Sequence, residues 1–177
     1  VGSEPNGAVH PAQAAAAINE RTALVSIMHV NNETGVIQDI EAIGAICRER
    51  GVLLHVDAAQ SVGKVPLALA AAPIDLCSLT AHKVCGPKGI GALYVAPTAA
   101  ITPLMFGGEQ ELGVRPGTLA THQIVGMGKA YELADPAREG PRLAELRDRL
   151  WHALSTIPDV RRKGGAPACA PDILNVT

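Results

Sequence analysis

Lys83 stands in "LTAHKVCGPKGIG", residues 79–91, between His82 and the small apolar pair Val84-Cys85, just past an apolar run and just before a Gly-Pro-Lys-Gly turn. That setting is not a polar face. Two readings fit an ammonium there. One is a lysine that snorkels from a loop; the other is a partly desolvated amine whose pKa falls far enough to capture a carbonyl carbon. Asp57 directly follows the five apolar-run residues "VLLHV" (52–56). A carboxylate placed there is partly buried and needs a partner: a backbone N–H, a lysine, or a protonated ring nitrogen of a bound group. His55 and Asp57 share one face of a strand, as a metal pair would, but no further cluster of ligating residues completes a site. Neither Gly-Pro-Lys-Gly nor Gly63-Lys64-Val65 carries the Lys-Ser/Thr ending of a phosphate-binding P-loop. Cys85 reads as a small buried thiol, and His29 as a satisfied core histidine.

The elements that must position these residues follow from the apolar pattern. "ALVSIMHV" (23–30), ended by Asn31-Asn32, reads as a strand buried on both faces, which suits a parallel sheet. "DIEAIGAICRERG" (39–51) has apolar residues at 40, 43, 46 and 47 and a glycine at the C′ position, so it reads as an amphipathic helix. "VLLHV" (52–56), "IDLCSL" (74–79) and "GIGALYV" (89–95) read as three more strands. Strand, helix and strand in series predict an α/β sheet with right-handed crossovers. Residues 119–134 predict a helix that stops before Asp135-Pro136. Residues 141–157 predict another, with Pro141 in its first turn. "DILNVT" at the end reads as part of a strand, and the chain as a piece of something longer.

In this layout Asn32, Asp57 and the Thr80–Lys83 group each lie just past the carboxyl end of a strand. Ligands of open α/β sheets bind at that edge. Three strands delivering polar groups to one edge carry more weight than any single residue.

The bulk numbers narrow the classes. The 177 residues suffice for one domain with a real core and part of another. The formal net charge of −2 gives no basic surface for nucleic acid or an anionic membrane, and 2% aromatics leave no stacking platform for single strands. The cysteines at 47, 77, 85 and 169 form no CxxC pair, which reads as reduced, ordinary buried thiols in a cytoplasmic protein. No apolar run is long enough to span a bilayer.

Taken together, "SIMHVNNETGVIQDI", "HVDAAQSVGK", "AHKVCGPKGIGALYV" and "RPGT…HQIVGMGKA" closely resemble the cysteine desulfurases. These are class V, fold-type-I enzymes dependent on pyridoxal 5′-phosphate (PLP), a group that includes selenocysteine lyases. The similarity runs along almost the whole chain in the family's order. It implies an aspartate-aminotransferase-like large domain with a mostly parallel sheet and flanking helices over residues 1–138. Residues 139–177 would be a linker helix and the start of a small C-terminal domain.

The resemblance also implies roles. Lys83 would form the covalent imine with PLP and act on the substrate Cα proton. Asp57 would pair with the pyridinium nitrogen and Gln60 with the phenolate oxygen. Asn32 would lie near that oxygen and the substrate carboxylate. Thr80 and His82 would hold the phosphate. Thr118 would reach the phosphate of a neighbouring subunit, which implies a homodimer. The substrate would be L-cysteine, converted to L-alanine, with sulfur passed as a persulfide to an iron–sulfur scaffold or another acceptor protein; selenocysteine lyase is the alternative. Direct nucleic-acid or membrane partners are not implied. A fragment serving only as a dimerisation or docking module is the alternative of another class.

Departures are modest. Thr80 stands where serine is common, Cys85 where tyrosine or histidine is usual, and Gly107-Gly108-Glu109 where three glycines are. The family's ring-stacking histidine is expected before residue 1, and its catalytic cysteine and carboxylate-binding arginine after residue 177. Cys169 does not align with that cysteine. The chain alone is therefore expected to be inactive.

Overall fold

The computed structural model describes residues 1–164 and 168–177. Residues 165–167, which fall inside the expected small-domain segment, lie outside the described residues.

Four strands build the sheet: β1 (Leu24–Met28), β2 (Leu53–Asp57), β3 (Leu76–Thr80) and β4 (Gly91–Val95), in the order β1-β2-β3-β4. The first three run parallel, with Met28 opposite Asp57 and Asp57 opposite Ser78. The last is antiparallel, pairing Thr80 with Gly91. The mostly parallel α/β sheet expected from the sequence is thus present, and the carboxyl ends of β1, β2 and β3 share one edge.

Helix α2 (Ile40–Arg50) forms where the pattern predicts. Ile40, Ile43, Gly44 and Cys47 are buried at the spacing of one helical face. The Asp39 side chain caps the start by accepting from the Ala42 N–H at 2.9 Å. Gly51 ends it in the left-handed conformation, φ 65°, where a Cβ would be strained. Helix α1 (Pro11–Ala17) packs beside it. Its cap is reciprocal: the His10 ring accepts from Ala12 N–H while Gln13 Oε1 accepts from His10 N–H.

Both helices cover one face of the sheet. Leu54, Val56 and Cys77 are fully buried against Ile43, Cys47, Ala14 and Ile18. Each such Leu, Ile or Val contributes roughly 1.5–3 kcal/mol. The opposite face of β1 differs from expectation: Leu24 and Ser26 are exposed, so within this chain the strand is buried on one face only. On that face His55 bridges three strands, its Nδ1 2.8 Å from Ser26 Oγ and its Nε2 2.7 Å from Ser78 Oγ.

Helix α3 (Thr121–Leu133) matches the expected span. Helix α4 (Pro136–Leu154) starts five residues earlier than predicted. Asp135 is its cap, accepting from Arg138 N–H at 3.1 Å, and Pro136 takes the first-turn position assigned to Pro141, which instead lies inside the helix. The terminal strand is shorter than "DILNVT" suggested. Only β6 (Asn175–Val176) forms, antiparallel to β5 (Arg162–Lys163).

The segment 168–177 folds back on the turn after β1. Ala170 N–H donates to Gly35 O at 2.7 Å and Ile37 N–H to Ala168 O at 3.0 Å. The Asn175 side chain donates to Glu33 O at 3.2 Å. Arg147 of α4 donates to Ala170 O at 2.8 Å.

Candidate active site

Two tight turns at the carboxyl edge carry the candidate residues. The first follows β2. The N–H groups of Ser61 and Val62 bond back to Ala58 O and those of Lys64 and Val65 to Ser61 O, so residues 58–65 form two successive turns. Ala58 N–H donates to Ser78 O at 3.0 Å, which ties the turn to β3. The second is a 3-10 turn, His82–Val84, after β3, closed by Val84 N–H and Gly86 N–H on Ala81 O. The two turns touch. A Cβ added to Gly63 (φ +80°) would stand 2.6 Å from Val84 Cγ1, so only glycine permits this approach.

Asp57 is the last residue of β2 and half-buried. Its Oδ1 accepts from Ala59 N–H at 2.9 Å. Among the described residues nothing donates to Oδ2, which leaves one carboxylate oxygen for a cationic N–H. Gln60 is 8% exposed. Its Oε1 faces Lys64 Nζ at 3.4 Å, and no described residue accepts from its Nε2. Nε2 still reaches solvent at this edge, so the amide presents a donor that a bound acceptor could meet. Thr80 Oγ1 and His82 Nδ1 lie 2.8 Å apart at the end of β3, so hydroxyl and imidazole form one unit able to donate to an anion.

Of the two readings of Lys83, the exposed loop lysine is the one found. It is exposed on the 3-10 turn rather than desolvated, because the turn projects past the strand ends. Among the described residues no acid or acceptor engages its amine. Cys85 is corrected: it is exposed, with φ 62°, since it caps the 3-10 turn in the left-handed region. His29 is buried as expected, but among the described residues its Nδ1 has no partner, and burial lowers its pKa. Of the thiols only Cys47 and Cys77 are fully buried.

Asn32 is exposed just beyond β1. Its neighbour Asn31 builds the turn there, accepting from the N–H groups of Glu33 and Thr34. Thr118 is exposed in the loop before α3 and bonds to none of the other candidates. The edge thus gathers Asp57, Gln60, Thr80, His82 and Lys83 on adjoining turns, with Asn32 past the neighbouring strand and Thr118 apart.

A family model described as aminotransferase class-V matches residues 1–177. The chain belongs to that family. Class V aminotransferase members and their cysteine desulfurase relatives are PLP-dependent, and the donor set at this edge fits that cofactor: an unpaired carboxylate oxygen, an unanswered amide donor, a hydroxyl–imidazole pair and a lysine. The IscS cysteine desulfurase of Pectobacterium carotovorum subsp. carotovorum (strain PC1) is 53% identical over 176 residues, 97% of this chain and 44% of that protein. The chain therefore spans less than half the length of the curated relatives it matches. A solved NifS-like protein superposes with a TM-score of 0.94 at 35% identity, over 99% of this chain and 49% of that one. A structure of SspA in complex with cysteine superposes with 0.85 at 39% identity, over 99% and 49%. The fold-type-I character of this class-V domain is thereby established.

Two features went unforeseen. Lys64 lies 2.6 Å from Asp172 Oδ2 while also facing Gln60. The one available signal was its spacing, four residues after Gln60. The Ser26–His55–Ser78 bridge could be found only by knowing the strand register.

Proposed function

We propose that the whole protein is a PLP-dependent cysteine desulfurase, to which this chain contributes the cofactor-binding part of the large domain and the opening of the small one, from residue 139. When bound, PLP supplies the electron-withdrawing ring that eases removal of the proton from the substrate Cα. Lys83 anchors the cofactor through its amine and, once freed, moves the Cα proton as base and acid. Asp57 holds a proton on the ring nitrogen, a charge that its unpaired oxygen suits. Gln60 donates to the phenolate oxygen, and Asn32 assists near the substrate carboxylate. Thr80 and His82 hold the phosphate. L-cysteine would be converted to L-alanine, its sulfur passing as a persulfide to a cysteine of the whole protein and then to an iron–sulfur scaffold or another acceptor protein.

The observation that carries this reading is the unpaired Asp57 oxygen on the turn that touches the one bearing the Thr80–His82 pair and Lys83. The names of the relatives support the substrate class.

The same reading includes a homodimer in the cytoplasm. Leu104, Phe106 and Leu112, at 94%, 89% and 99% exposure, crowd the loop that leads to Thr118. Such a patch favours burial against a second copy, with Thr118 donating to the partner's phosphate. No described helix is long and apolar enough to cross a membrane.

Borohydride reduction of the whole protein loaded with PLP, followed by peptide mapping, tests the core of the proposal. The pyridoxyl group should be found on Lys83. Finding it on Lys64 or Lys88 would overturn the assignment.

A further inference from the structure

Lys64 belongs to none of the roles above, yet it sits between a site residue and a distant segment. Its Nζ lies 2.6 Å from Asp172 Oδ2 and 3.4 Å from Gln60 Oε1. We propose that Lys64, anchored by Asp172, is the positioning residue that fixes the amide of Gln60, so that oxygen faces the ammonium and Nε2 is presented to the cofactor's phenolate oxygen. The inference rests on the PLP reading of this edge.

An amide side chain has two nearly isosteric ends, and packing alone does not tell them apart. An ammonium does, because it carries three donors and no acceptor. Turned the other way, Gln60 would set its NH2 against Lys64 and its carbonyl against an anionic oxygen. Gln60 is 8% exposed, so little water reaches it to relieve either clash. The correct orientation satisfies both sides at once.

Asp172 makes the arrangement rigid. The side chains of Lys64 and Asp172 are only 21% and 20% exposed, which limits screening of the pair. Asp172 is itself held, because the residues beside it bond to the turn after β1 and to α4 through Gly35, Glu33 and Arg147. The ammonium therefore has a fixed address, 108 residues away in sequence. With three donors it serves Asp172 and Gln60 together.

The test uses the whole protein with PLP and reads the pH midpoint of the bound cofactor's visible absorption change, alongside PLP affinity of the apoprotein. A donor to the phenolate oxygen drains charge from beside the nitrogen that joins Lys83 to the cofactor. Losing that donor raises the midpoint, because the proton there is held more tightly. Gln60→Ala should raise it by roughly one pH unit. Lys64→Met and the isosteric Asp172→Asn should shift it the same way by part of that amount and weaken PLP binding. Lys64→Arg, again a pure donor, should restore the wild-type midpoint. Gln60→Ala/Lys64→Met should move no further than Gln60→Ala, since both changes remove one interaction. If Gln60→Ala shifts the midpoint while Lys64→Met and Asp172→Asn do not, or if the double variant is additive, the positioning role is overturned. Should Lys64→Met fail to fold, Asp172→Asn and Lys64→Arg decide it. If Gln60→Ala itself leaves the midpoint unchanged, the PLP reading of Gln60 fails, and the positioning role with it.

Discussion

The hydroxyl of Tyr131 donates to the carbonyl oxygen of Thr80 at 2.9 Å, so helix α3 grips the last residue of β3 by its backbone. Thr80 is also the residue whose hydroxyl pairs with His82. Burial raises the Tyr131 pKa, which keeps the phenol protonated and donating. Tyr131→Phe keeps the ring and removes the donor, leaving the carbonyl short of a partner. The expected cost is about 1 kcal/mol. Urea unfolding of the whole protein should show a lower midpoint at an unchanged slope.

Asp57→Asn is nearly isosteric and keeps an acceptor for the Ala59 N–H. It cannot hold a positive ring nitrogen. Folding and some PLP binding should persist, while turnover falls by about 10³-fold, or about 4 kcal/mol. Steady-state assay with L-cysteine decides it; near-normal turnover would refute the role of the carboxylate.

Thiol chemistry should divide the cysteines by position. Cys85 is exposed and should react first with iodoacetamide, with Cys47 and Cys77 protected until unfolding. Burial, with the nearby Asp57 charge adding to it, pushes the Cys77 thiol up to about 11 from its ordinary 9.0. The unfolded chain then loses that proton first as pH rises. Cys77 therefore supports the fold fully below pH 9.0, and its support fades towards about pH 11. Chemical denaturation across this window should show stability falling with pH, and less steeply in Cys77→Ala.

Thr118 permits a complementation test. Lys83→Ala and Thr118→Ala proteins are mixed to form heterodimers. If Thr118 serves the partner's site, both lesions fall in one site and the other is intact, so it should hold PLP as tightly as wild type. A Lys83-bearing site that leaks PLP like the Thr118→Ala homodimer would place the contact within one chain. Linked binding further predicts that removing PLP lowers dimer affinity, measurable by analytical ultracentrifugation.

The sheet and its polar edge were legible because short apolar runs each ended at a polar residue. Leu53–Val56 closing on Asp57 is the plainest instance. Helix α2 was legible through Gly51 and its apolar spacing. Helix α1 was not, since four consecutive alanines give no periodic contrast and its cap uses a histidine. The start of α4 was misread because two prolines compete for one role, and Asp135 as a cap decides for Pro136. The exposure of Lys83 and Cys85 depends on how far a turn projects, which apolar pattern does not encode. Asp172 reaches Lys64 through tertiary folding alone, so no local spacing announces it.

Synthesis runs from the amino end, so the partner of Lys64 emerges 108 residues after it. At roughly 5–20 residues per second that interval is about 5–20 s. Through it, the edge bearing Asp57, Gln60 and Lys83 has left the ribosome while the amide still lacks its fixed direction. The nascent protein thus meets a delay between having its cofactor-facing residues and having them set, and the segment bearing Asp172 ends it.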